Sequence, residues 1–218
     1  VIWACYSRLA DENFFLVSEA ILNAEREIAA AGLEKQTDAL YPPRRFEYPW
    51  AFLQIPENSK RVLDAGGGPA TFQYLLSKYV PEVYNIDINS KWIDKVENVK
   101  RVTGKFGNIV TAKGNLAEMP FVEDKTFDAS LCVSVIEHGR DAEAIICELL
   151  RVTKGPVLIT TDVGYGEELL NPSVLHQLGE RFGFTVPEVP LDAIHRATAG
   201  GEHYKVACIR LDSHVSAA

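Results

Sequence analysis

From residue 61 onward, short apolar runs alternate with stretches whose apolar positions recur every three or four residues. The runs cover residues 61–64, 83–88, 109–112, 127–135 and 156–161. Their length and their glycine, proline and aspartate borders predict buried strands. Between them, residues 70–79 carry Phe72, Leu75, Leu76 and Tyr79 on one helical face. Residues 90–102 turn Ile93, Val96 and Val99 inward behind Ser90 as N-cap, and residues 141–152 bury Ile145, Ile146, Leu149 and Leu150. Asn171-Pro172 opens a further helix to about residue 182. Residues 184–189 read as a strand and 204–211 as the last one. Alternating strands and helices predict an α/β fold, here a seven-stranded, mostly parallel sheet with helices on both faces. The last two strands lack a helix between them, so they are expected to pair as a hairpin at one edge, leaving the last strand antiparallel.

Upstream the pattern differs. Leu9, Leu16, Ala20, Leu22, Ile28 and Leu33 predict a helix over residues 9–33. The run Tyr41-Pro42-Pro43-Arg44-Arg45-Phe46-Glu47-Tyr48-Pro49-Trp50 holds three prolines and is expected to lack regular structure. Residues 50–55 read as a short helix or turn closed by Pro56. The expected organisation is an N-terminal helical, lid-like segment (1–59), an α/β domain (60–212) and a short tail (213–218).

Composition narrows the function. The chain has 218 residues, 47% hydrophobic and 24% charged, which excludes wholesale disorder, collagen and coiled coil. Its net charge of −8 makes it a poor general binder of nucleic acid. No run of 18 apolar residues is present, so no membrane span is expected. Arg8, Asp11 and Glu12 fall where a secretory signal needs an apolar centre, and the initial Val is expected of a processed or truncated chain. Cys5, Cys132, Cys147 and Cys208 are scattered without a CxxC, which implies neither zinc nor a disulfide framework. Reduced thiols in a cytoplasmic protein are the expectation.

The chemistry concentrates at Val62-Leu63-Asp64-Ala65-Gly66-Gly67-Gly68-Pro69-Ala70, a strand running into a glycine turn that opens a helix. A dinucleotide fingerprint would need Gly or Ala where Thr71 stands. Asp64, at the strand end, is badly placed for a pyrophosphate and well placed for a cationic amino group. Asp87, 23 residues on, closes the next strand, where an acid accepts hydrogen bonds from both ribose hydroxyls. A ribose, a nearby cation and little phosphate describe S-adenosylmethionine better than NAD. Three further landmarks follow in order: Gly114-Asn115-Leu116, residues 127–138 ending Ser134-Val135-Ile136-Glu137-His138, and residues 149–160 around Lys154-Gly155-Pro156.

With these landmarks the chain resembles the class I S-adenosylmethionine-dependent methyltransferases, closest to the small-molecule branch often called type 11. The resemblance covers residues 60–163 well and 164–212 by topology, and it implies a Rossmann-like sheet. It also implies that Asp64, Gly66, Gly67 and Gly68 hold the methionine end of the cofactor and that Asp87 binds the ribose. Ile88 would pack on adenine, Asn115 with Leu116 would contact its edge, and Ser134 would lie by the transferable methyl. The family usually has Asp where Asn115 stands; an Asn side-chain oxygen still accepts from the adenine amine. It also usually reads Lys-Pro-Gly where this chain has Lys154-Gly155-Pro156, a turn of structural consequence only.

Methyl transfer is an in-line displacement in which the protein mainly aligns the reactants. Where a general base is needed, His138 is the candidate, with shaping of its loop as the alternative. Amino-group DNA methylation is disfavoured because Ser134-Val135-Ile136-Glu137 stands where an Asn/Asp-Pro-Pro-aromatic run is needed. Cytosine carbon methylation is disfavoured because no Cys follows a Pro, and no metal is expected. Tyr41, Arg44, Arg45, Phe46, Tyr48 and Trp50 are candidates to stack on or grip a substrate, with Phe46, Tyr48 and Trp50 pinning the N-terminal helix to the core as the alternative. Tyr165, between Gly164 and Gly166, is a candidate lid residue. The expected activity is methyl transfer to a small metabolite or a sugar-linked or natural-product intermediate. A protein or RNA methyltransferase and a catalytically silent interaction module remain alternatives.

Overall fold

The apolar runs assemble into a single sheet flanked by helices. A computed structural model describes residues 1–31, 42–139, 141–167, 169–197 and 203–212. In chain order the elements are β1 (Ile2–Trp3), a 3-10 turn (Tyr6–Ala10), α1 (Glu12–Ala30), α2 (Pro42–Phe52), β2 (Arg61–Ala65), α3 (Phe72–Leu76) and β3 (Glu82–Asp87). They continue with α4 (Ser90–Thr103), β4 (Ile109–Lys113), β5 (Ala129–Val133), α5 (Ala142–Val152) and β6 (Pro156–Val163). The chain ends with α6 (Pro172–Phe182), β7 (His195–Ala197) and β8 (His203–Asp212).

Seven strands lie in the order β1-β8-β6-β5-β2-β3-β4, and β7 pairs with β8 off that path. The five from β4 to β6 are parallel, whereas β8 is antiparallel to β6, β1 and β7. The sheet is therefore mostly parallel with an antiparallel last strand. β2 pairs with β3 on one side and β5 on the other. The chain builds outward from β2 to β4 and then returns to β5, so a crevice opens beyond the carboxyl ends of β2 and β5.

Alternation along the strands splits the core in two. Val62, Leu131 and Leu158 join the cluster beneath α1 to α4, whereas Leu63, Cys132 and Ile159 join the cluster beneath α5 and α6. Both faces are covered, so residues 62–65 of β2 are all buried.

Several sequence expectations change. The proline-rich run is helical as α2, because Pro42 and Pro43 occupy the first turn, where no amide donor is required. Pro49 alone sits inside the helix. Residues 184–189 form no strand: Pro187 lacks a ladder donor, and its carbonyl accepts the Trp3 indole N–H at 2.9 Å. The short strands are β1 and β7 instead, and β1 lies outside β8, so the last strand is not the edge. The N-cap of α4 is Asn89, whose side chain accepts from Lys91 N, not Ser90. Asp141 and Asn171 cap α5 and α6 in the same way.

Candidate cofactor and transfer site

A cavity of about 1000 Å³ occupies the crevice, walled by the loops after β2, β3, β4 and β5 and by α2. On the β2 side the turn is dictated by its glycines. Gly66 has φ +71°, and a Cβ there would come within 2.7 Å of the Val135 side chain. A Cβ on Gly67 would come within 2.3 Å of Asp64 Oδ2. The glycines thus leave a cradle directly over the Asp64 carboxylate. Asp64 is 3% exposed, and its Oδ2 has no hydrogen-bond partner among the described residues. Burial pushes its pKa up to about 7, with the charge of Asp87 adding to the effect. Asp87 is held in place: Oδ1 accepts from Asn89 N at 2.7 Å and Oδ2 from Gly68 N at 3.1 Å. Burial raises its pKa while those bonds oppose the rise.

The β5 side is built differently. Arg44, Glu47 and Tyr48 fall on one face of α2, at helical spacing. Glu47 is fully buried, and its Oε1 accepts from Ser134 Oγ at 2.8 Å and from Thr160 Oγ1. Arg44 Nη1 donates to Glu47 Oε2 and to Ser134 Oγ, both at 2.6 Å. Burial works against the charge of Arg44, but Glu47 beside it holds its pKa above the ordinary guanidinium value. Tyr48 stacks on Phe72, with ring centroids 4.5 Å apart, and the Arg44 guanidinium lies over the Tyr48 ring at 5.8 Å from its centroid. Behind this layer Glu137 accepts from Thr161 Oγ1 at 3.1 Å, and burial followed by the Asp162 charge raises its pKa to about 8.

Comparison with known proteins matches this arrangement. Residues 63–158, the segment that contributes Asp64, the glycine turn, Asp87 and Ser134, match the methyltransferase domain family. That segment, a little under half of the chain, carries a methyltransferase domain. An uncharacterized methyltransferase of Schizosaccharomyces pombe is 34% identical over 109 residues, 47% of this chain and 39% of that protein. The chain thus spans well under half the length of that curated relative. Among solved structures, the N-terminal domain of EvdMO1 with S-adenosylhomocysteine bound superposes with TM-score 0.60 at 15% identity, covering 88% of this chain and 96% of that one. A methyltransferase from Aquifex aeolicus gives TM-score 0.55 at 20% identity, covering 76% and 89%. At these identities the two structures show the shared fold.

The cavity is lined by Asp64, Gly66, Gly67, Gly68, Asp87, Ile88, Asn115, Leu116 and Ser134, all named from sequence, and by His138, Arg44 and Tyr48. Ile88 is 69% exposed across the open side. The Asn115 side-chain oxygen accepts from Ala117 N at 3.1 Å, which leaves one lone pair for a ligand. The remaining substrate candidates fall elsewhere. Phe46 and Trp50 are buried in the core, as their pinning alternative has it, and Arg45 is half-buried and not in the cavity wall. Tyr165 is 66% exposed and also outside the wall, and Tyr41 lies outside the described residues. Two contributors, Trp92 and Glu47, were not assigned from sequence. Trp92 lies over the glycine turn, 3.4 Å from where a Gly68 Cβ would stand. Arg44 lines the cavity, and Glu47 anchors it from behind. The spacing of Arg44, Glu47 and Tyr48 would have revealed a common face had the prolines not argued against a helix. Among the described residues no group of three or more His, Cys, Asp or Glu side chains could hold a metal, and no helix is long and apolar enough to cross a membrane.

Proposed function

We propose that this chain transfers a methyl group from S-adenosylmethionine to a small-molecule acceptor. The observation that carries the reading is Asp64 Oδ2: a buried carboxylate oxygen without a partner, facing a cradle that any Cβ on Gly67 would fill. A buried carboxylate without a partner is costly in its ionised form, and a cation bearing N–H donors relieves that cost, so the cradle suits the cofactor's ammonium group. Asp87 would receive the ribose hydroxyls on its remaining lone pairs, and Ile88, Trp92 and Leu116 would enclose the adenine, with Asn115 at its edge. Among the described residues Arg44 uses only Nη1 internally, which leaves its Nε and Nη2 as a fork suited to the methionine carboxylate.

S-adenosylmethionine supplies an electrophilic methyl group on a sulfonium; the residues of the chain bind, align and exclude water. Ligand pockets for one small molecule span about 300–1,000 Å³. A cavity at the top of that range has room for a cofactor and a small acceptor. His138, exposed at the mouth, is the candidate base for acceptors that enter there. The cytoplasm is the proposed location, in keeping with four free cysteines.

Parallel calorimetric titrations with S-adenosylmethionine, S-adenosylhomocysteine and NAD test the reading. Micromolar binding of the first two, and none of NAD, is expected. Binding of NAD, or of none of the three, would overturn it.

A further inference from the structure

We propose that Ser134, fixed by Glu47, is the hydrogen-bond acceptor at the transfer point, so that the nucleophile methylated here is one that carries a proton, a hydroxyl or an amine. The inference deepens the proposed function and rests on it.

The argument is a count of donors and lone pairs on one oxygen. Ser134 Oγ has a single proton, and that proton is given to Glu47 Oε1 at 2.8 Å. One lone pair accepts from Arg44 Nη1 at 2.6 Å. What remains is one lone pair, on a residue that lines the cavity. Ser134 can therefore accept from a ligand and cannot donate to one. The direction is fixed because both oxygens of the fully buried Glu47 already act as acceptors, Oε1 receiving Thr160 Oγ1 as well and Oε2 receiving the Arg44 guanidinium.

A second, independent observation singles out the same residue. Ser134 has φ +50°, in the left-handed region that a side chain enters at a cost. Its backbone N–H is tied to the Thr160 carbonyl at 3.0 Å, which holds it there. The strain sits at the end of β5, in the cavity wall.

Glu47 does not reach the cavity itself and acts through Ser134, so it is a positioning residue. The proton balance closes along this arm. As the nucleophile's lone pair bonds the methyl carbon, the carbon–sulfur pair stays on sulfur. The nucleophile's proton passes to Ser134 Oγ, and the Ser134 proton passes to Glu47. One sulfonium cation and one carboxylate anion disappear together. The nucleophile's proton becomes strongly acidic as the new bond forms, so a carboxylate can take it up.

The test needs no knowledge of the acceptor. Sinefungin carries a primary amine where the transferable methyl stands, whereas S-adenosylhomocysteine carries nothing there. Calorimetric dissociation constants for both are measured on the wild type, Ser134→Ala and Glu47→Gln, with circular dichroism melts of each. The wild type is expected to favour sinefungin by about tenfold, the worth of one charge-assisted hydrogen bond. Ser134→Ala should bring the ratio to about one, and Glu47→Gln should lower it by at least about threefold. The ratio cancels what Arg44 contributes, since both ligands carry the same carboxylate. Should Glu47→Gln fail to fold, Ser134→Ala alone decides. An unchanged ratio in a folded Ser134→Ala overturns the inference. A wild type that binds neither ligand overturns the proposed function beneath it.

Discussion

Two buried carboxylates serve the same cavity from opposite sides of the switch point. Asp64, at the end of β2, keeps one oxygen without a partner among the described residues, and burial lifts its pKa to about 7. Glu47, on α2, faces the ends of β5 and β6 and is satisfied by Arg44, Ser134 and Thr160. Burial is comparable, at 3% and 0% exposure, so desolvation does not separate them. Partners do. The β2 side stores an electrostatic demand that a cationic ligand can meet. The β5 side has met its demand internally and uses the carboxylate to fix geometry. A binding surface and a positioning surface can thus be told apart by counting hydrogen-bond partners.

The contrast can be broken from either side. The largest effect is expected from Glu47→Ala, which leaves the Arg44 guanidinium buried without its counter-charge; urea denaturation should show a loss of about 3 kcal/mol. Asp64→Asn should act the other way round. S-adenosylhomocysteine affinity should fall by about 100-fold, the loss of a buried ion pair to its ammonium, while the melting temperature of the ligand-free protein at pH 8 does not drop. If both variants lose stability equally, the two carboxylates are not in different states.

Acidity sharpens the comparison. Because the folded-state pKa of Asp64 is raised, the ligand-free fold retains its full share of stability below the ordinary aspartate value and loses it as pH rises through about 7. Glu137 contributes in the same sense up to about 8. Ligand binding runs oppositely, since the ammonium requires ionised Asp64. Affinity for S-adenosylhomocysteine should rise by up to about tenfold per pH unit below 7 and flatten above 8. A pH-independent affinity would remove Asp64 from the ligand. Smaller effects are expected at the rim. Asn115→Asp keeps the accepting oxygen and should shift affinity by less than about threefold. Tyr165→Ala, at an exposed position outside the cavity wall, should leave cofactor affinity within about twofold in the same titration.

Reading these two halves from sequence succeeds unequally. The β2 half is local: Asp64 precedes the glycines by two residues, and Asp87 closes the following strand. Strand periodicity and turn chemistry locate both. The β5 half joins residues 87 and 113 positions apart, Glu47 to Ser134 and Glu47 to Thr160, which no local pattern connects. Ser134 was placed near the methyl by resemblance, but the lone-pair count at its oxygen depends on α2. That helix was hidden by its prolines, whose usual meaning is reversed in a first turn. The choice between substrate contact and core packing for Trp50 stays open in the sequence for the same cause, since a residue's face is undefined until its helix is known.

The sequence by itself determined the alternation of strands and helices, the glycine turn and the acids at two strand ends. Each depends on hydrophobic period or backbone sterics within a few residues. Only the tertiary structure decided which carboxylate has partners, that α2 closes the cavity, and which way the Ser134 hydroxyl points. Those properties are set by groups brought together from distant segments, and the energy of a buried charge is fixed by what finally surrounds it.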